Sequence, residues 1–159
     1  MQTAHWAQLL QDSGFAAAIR GGIYIYPAVN VLHVLGVGLI VGSILALDFR
    51  IIGITTAGSF DEAQRLLTPF SVIGLLIAIP SGFALYASDA VSLSQSKLMW
   101  AKLLLIFLGI ANAFVFRWFW TSRLPDWKGD APQFAKVQAV FSIGIWIAVP
   151  VLGRLIAYV

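Results

Sequence analysis

Four stretches of this chain run for 23 to 25 residues with almost no charge, and they constrain its fold more than any motif does. Ile23 to Leu47 is 25 consecutive uncharged positions. At roughly 1.5 Å per helical residue that is about 37 Å, enough to cross a hydrocarbon core of about 30 Å. Leu66 to Ser88 adds 23 more, with Pro69 in the first turn and Pro80 mid-run. The missing N–H of Pro80 predicts a kink there. Leu98 to Thr121 contains Lys102 and Arg117 near its ends, where long aliphatic stems carry the charge to the headgroups. Val137 to Val159 contains only Arg154, with Pro150 as a second kinking residue.

Composition agrees. Hydrophobic residues make up 60% of the 159, charged ones 11%, and the mean hydropathy is +0.88. A water-soluble domain of this size needs far more polar surface. The predicted fold class is therefore an all-α integral membrane protein, a single domain over 1–159. It comprises a four-helix transmembrane bundle with spans at about 23–47, 66–88, 98–121 and 137–159, plus an N-terminal interfacial helix at 3–20. Met1 to Gly22 has no basic n-region and no long apolar core, so it reads as mature structure rather than a cleaved signal. Ser13 is suited to cap a second turn that Gly21 and Gly22 end.

An even number of spans places both termini on one side. Arg50, Arg65, Arg117, Arg123, Lys128 and Lys136 fall on the loop side, against Arg20, Lys97, Lys102 and Arg154 on the other. The excess predicts cytoplasmic loops and both termini outside, in a bacterial inner membrane. The chain has no cysteine, which excludes thiolate catalysis, Fe–S clusters and cysteine-ligated haem. A net charge of +3 supports no nucleic-acid partner. No phosphate loop, His-Glu zinc motif or nucleophile triad is present, so a conventional hydrolase is not expected.

Chemistry is then sought among polar residues inside the spans. Tyr26, Asn30, His33, Val37, Val41 and Ile44 follow helical spacing, so Asn30 and His33 are predicted to face the bundle together. Gly38 and Gly42 form a Gly-x-x-x-Gly pair suited to close helix approach, within the chain or between copies. His33 lies roughly 15 Å below the span entry. An ionisable residue there is a functional candidate: a haem ligand, a metal ligand, or a proton donor to a quinone. His5 reads as a surface residue and Met99 as a remote axial candidate. Ser81, Ser88, Asp89, Lys102 and Arg154 fall in the same half as His33, and Lys102 and Arg154 are of the right type to pair with propionates or a lipid phosphate. At the opposite end lie Asp48, Arg50, Asn112 and Arg117, where Asp48 and Arg117 are expected to form a structural ion pair. Trp100, Trp118, Trp120 and Trp127, with Tyr24, Tyr26, Tyr86 and Tyr158, read as an aromatic belt.

Tyr26-Pro27, Asn30, His33-Val34-Leu35-Gly36, Asp48-Phe49-Arg50, Ser81-Gly82, Ala87-Ser88-Asp89-Ala90, Lys102, Asn112 and Gly153 to Tyr158 together resemble an uncharacterised bacterial four-span membrane family of unknown function. More distantly, the first-span Leu32-His33 followed by Gly36, and Lys102 about ten residues before the polar Asn112 in a later span, are similar to copper-resistance-protein-D-like and protoporphyrinogen-oxidase-like membrane proteins. That resemblance implies haem or copper handling through paired histidines. Here Asn112 or Arg117 stands where the second histidine would be sought, which removes bis-His ligation within one chain. The expected function is an accessory membrane subunit with an outer-half pocket of His33, Asn30, Lys102, Arg154 and Ser81. That pocket would bind haem b or quinone for electron transfer with a membrane protein partner or a second copy. The alternatives are a non-catalytic anchoring or assembly subunit and a small-solute or metal permease.

Overall fold

The computed structural model describes residues 5–56, 58–127 and 129–158, with the side chain of Ala157 excepted. Residues 3 and 4 of the expected interfacial helix, Lys128 of the charge tally and Val159 of the fourth span lie outside the described residues. The described residues are all-helical, with no strand. Two short helices, α1 (His5–Gln11) and α2 (Gly14–Gly21), precede the long helices α3 (Ile25–Ile52) and α4 (Phe60–Ser88). A single-turn-and-a-half α5 (Ala90–Gln95) leads into α6 (Lys97–Trp120), and α7 (Gln133–Leu155) follows. α3, α4, α6 and α7 are each long and apolar enough to cross a membrane.

Local chemistry sets the boundaries. Gly53 in the left-handed conformation (φ 88°) ends α3, a geometry that glycine adopts at little cost. Ser59 and Glu62 form a reciprocal capping box that starts α4 six residues before the uncharged run. Pro69 is consequently inside α4 and not in its first turn. Ser13 accepts the N–H of Ala16 and divides the expected 3–20 helix into α1 and α2.

The long helices form an open row. α4 packs on α3, α3 on α7 and α7 on α6, whereas α6 and α4 share no extended contact. The seam between α3 and α4 is very close. A Cβ added to Gly36 would sit 2.8 Å from the Ala78 backbone N, and one on Gly74 would sit 2.7 Å from the Gly36 carbonyl O. Gly38 and Gly42, expected to make this kind of contact, have open space around them. The buried stripe of α3 is Gly36, Ile40, Ser43, Asp48 and Ile51, rotated by about one residue from the expected face. Asn30 is exposed as a result and does not share a bundle-facing surface with His33.

Both ends are closed by other means. On the terminal side Trp6 stacks on Tyr86 and Phe15 on Phe83, Arg20 donates to the Ser88 carbonyl (2.9 Å), and Gln11 accepts from the Val91 N–H (2.9 Å). α1 and α2 are therefore docked on the end of α4 and on α5. On the loop side Trp127 is buried among Phe60, Phe116 and Trp120 and so does not belong to an outer aromatic belt. Arg50 is also interior: its guanidinium lies 4.0 Å from the Phe60 ring centroid and donates to the Gly58 carbonyl (2.9 Å), holding the α3–α4 loop.

Candidate functional site

His33 is half-buried between α3 and α4. Its Nδ1 lies 3.0 Å from the Ala78 carbonyl O and 3.3 Å from Ser81 Oγ. A carbonyl only accepts, so Nδ1 carries the proton and Nε2 keeps its lone pair. Ser81 also donates to the Ile77 carbonyl at 2.5 Å. Both carbonyls lie in the turn before Pro80, whose own missing N–H leaves the Leu76 carbonyl without its helical donor. An added Cβ on Gly82 would come 2.8 Å from His33 Cε1, so glycine makes room for the ring. The Nζ of Lys102 packs over Gly153 of α7. Arg154 is exposed and engages Tyr158 through both hydroxyl and ring. The structure thus joins His33 with Ser81. Asn30 is on an exposed face, and Arg154 is occupied locally.

The other polar set is arranged differently. A cavity of about 350 Å³ lies in the loop-side half of the bundle, lined by all four long helices. This volume is at the lower end of the small-molecule range, about 300–1,000 Å³. Its walls are mostly apolar, among them Ile44, Leu47, Leu67, Leu75 and Ile110. Three buried side-chain polar atoms have no hydrogen-bond partner among the described residues: Asp48 Oδ2, Gln64 Oε1 and Trp146 Nε1. All three residues line this cavity. Asp48, Gln64 and Trp146 are only 6%, 5% and 3% exposed, so bulk solvent does not satisfy them from outside. Such orphans are rare in folded proteins and ask for a specific explanation.

The expected Asp48–Arg117 ion pair is not formed. Both residues line the cavity, but the salt bridges among the described residues are Asp61–Arg65 and Asp130–Lys136. Asp48 is buried on α3 with the Ser142 hydroxyl beside it, whereas Arg117 is exposed on α6. The void between helices holds the two charges apart. Ser43 and Ser71 join α3 to α4 across the wall (2.8 Å), Gln138 of α7 donates to the Asn112 carbonyl of α6 (3.2 Å), and Gln64 of α4 donates to Thr121 at the end of α6 (3.2 Å). The last bond ties the open side of the row at the loop end. Gln64, Gln138, Ser142 and Trp146 were not singled out by the sequence reading. Their signal is the helical spacing Gln64, Thr68, Ser71 and Gln138, Ser142, Trp146, which places each set on one face.

The comparisons with known proteins bear on the whole chain. No curated protein and no solved structure matches it, so no copper-resistance or protoporphyrinogen-oxidase relative accompanies the distant resemblance. The model of a family of unknown function (DUF6644) matches residues 4–159, and the chain, with its four long apolar helices and its loop-side cavity, belongs to that family.

Proposed function

We propose that the protein is a membrane-embedded binding subunit whose ligand is a quinone-class amphiphile held in the loop-side cavity. The observation that carries this reading is that three residues lining one apolar-walled space, Asp48, Gln64 and Trp146, each keep a buried polar atom without a partner among the described residues. The Trp146 N–H needs an acceptor, and the Gln64 and Asp48 oxygens need donors. A quinol hydroxyl both donates and accepts, so the quinol head meets both needs, and the quinone carbonyl meets that of the Trp146 N–H. α4 and α6 line the cavity without packing extensively on each other, which gives the ligand an entry from the bilayer. Electrons pass to or from a membrane protein partner, and the setting is a bacterial inner membrane with both termini outside.

Haem b at His33 has less geometry behind it. Nε2 is free and Nδ1–H is oriented by a carbonyl, the arrangement a ligating imidazole uses. The ring is packed against Gly82, however, and the cavity is at the other end of the bundle. The surroundings of His33 fit an interhelical hydrogen bond better than a macrocycle.

The test is titration of detergent-purified protein with a short-chain ubiquinone analogue, followed by tryptophan fluorescence. Saturable quenching is expected, weakened at least tenfold in Asp48→Leu. Absence of saturable quenching overturns the quinone reading. A Soret band that vanishes in His33→Ala reinstates haem, and a colourless, quinone-free protein with a stoichiometric partner favours an anchoring subunit.

A further inference from the structure

A second, more open recess lies on the loop side, lined by Asp61, Arg65, Pro69, Thr121, Ser122 and Pro125. Gln64, Thr68 and Arg117 line both this recess and the cavity. The two spaces thus adjoin at a neck of three polar residues, one of them Gln64 with its partnerless Oε1. Beyond Asp48, toward the terminal side, Ile40, Ala78 and Trp146 pack with Val37, Val41, Ile44 and Leu75, and the Gly36–Gly74 contact seals the seam between α3 and α4.

We propose that recess, neck and cavity form one polar half-channel through which water and protons reach Asp48 from the loop side and go no further. A buried carboxylate oxygen without a partner is costly to place in an apolar surround. The cavity is polar at Asp48, Gln64 and Trp146 and roomy enough for several waters at about 30 Å³ each, which is the condition under which buried water is stable. Asp48 and Gln64 line these spaces, so water that fills them runs from the recess past Gln64 to the Asp48 side chain. The charged groups facing this path are Asp48 from α3, Arg117 from α6 and, at the mouth, the mutually paired Asp61 and Arg65 of α4. α7 contributes Gln138 and Ser142 and no charge to the lining. The inference is independent of the ligand: it requires an aqueous path, whichever molecule the cavity binds.

The cysteine-free chain permits a direct test. Single variants Thr68→Cys at the neck, Ser142→Cys and Ala113→Cys in the cavity, and Gly38→Cys on the open outer face of α3 are placed in right-side-out and inverted vesicles. Each is reacted with membrane-impermeant trimethylammonium-ethyl methanethiosulfonate. Thr68→Cys and at least one cavity variant are expected to react more than tenfold faster than Gly38→Cys, and from the loop side alone. Two cavity variants guard against one that does not fold. Reaction at neither cavity position, or reaction from the terminal side, overturns the proposal. A labelled cavity that binds no quinone sinks the ligand reading and leaves the half-channel standing. A quinone-binding protein with an unlabelled cavity does the reverse.

Discussion

The two polar clusters of this bundle sit at opposite ends of α3 and solve the same problem in different ways. At the terminal side the His33 N–H and the Ser81 hydroxyl supply donors to carbonyls beside Pro80, so the polar groups close on one another. At the loop side Asp48, Gln64 and Trp146 each keep a buried polar atom without a partner around a cavity. A polar group in an apolar interior is stable only when bonded. The first cluster spends its donors within the fold, and the second keeps partnerless atoms on residues that line a cavity. The residue that looked most chemical by type, the histidine, belongs to the satisfied cluster.

The largest expected effect concerns the seam on which both clusters rest. Gly74→Val drives a side chain into the Gly36 backbone and should cost about 3 kcal/mol or more, beyond the usual overpacking range. Gly38→Val, with open space around it, should leave the unfolding midpoint in mixed micelles nearly unchanged. Equal losses in the two variants would break the assignment of the seam. Next, Asp48→Leu removes a buried carboxyl that keeps one partnerless oxygen, and quinone affinity is expected to fall at least tenfold in the fluorescence titration. Unchanged affinity would mean that nothing in the cavity meets the carboxyl, and the contrast between the clusters would fail.

His33→Ala should show the opposite profile. Loss of its bond to Ala78 is expected to lower stability by about 1–2 kcal/mol and to leave the cavity ligand bound as before. If denaturant titrations find stability intact and ligand binding gone, the roles of the two ends are reversed. The smallest effect is expected from Trp146→Phe, which keeps most of the ring and deletes the orphan N–H. Stability should change by less than about 1 kcal/mol, with quinone affinity reduced about threefold to tenfold, read by calorimetry so that the lost fluorophore does not matter.

Much of the fold was legible because length and charge leave few choices. The uncharged runs predicted four long helices, and the structure extends α3 five residues past Leu47 and starts α4 six residues before Leu66, at positions that Gly53 and the Ser59–Glu62 box set. Ser13 was legible as a cap for the same reason, since its bond is local. The site was less legible. A pattern of residues three and four apart gives a helix a polar face without giving its rotation, and an error of one residue moved Asn30 to the outside and Ser43 to the inside. The Asp48–Arg117 pair failed because complementary charge and similar depth do not supply proximity across a gap between α3 and α6.

The sequence by itself determined that the chain is helical, how many long apolar segments it has, and where most of them begin and end. These follow from backbone hydrogen bonding and from the transfer of side chains out of water, both of which act within a segment. Only the tertiary structure decided which glycines touch, which polar atoms are satisfied and where a cavity remains. Those depend on how four helices are rotated and spaced against one another. Helix α3 meets α4 at a glycine seam and α7 along its other flank, and the row stays open between α4 and α6; the space left beside Asp48 is a property of that arrangement and of no single segment.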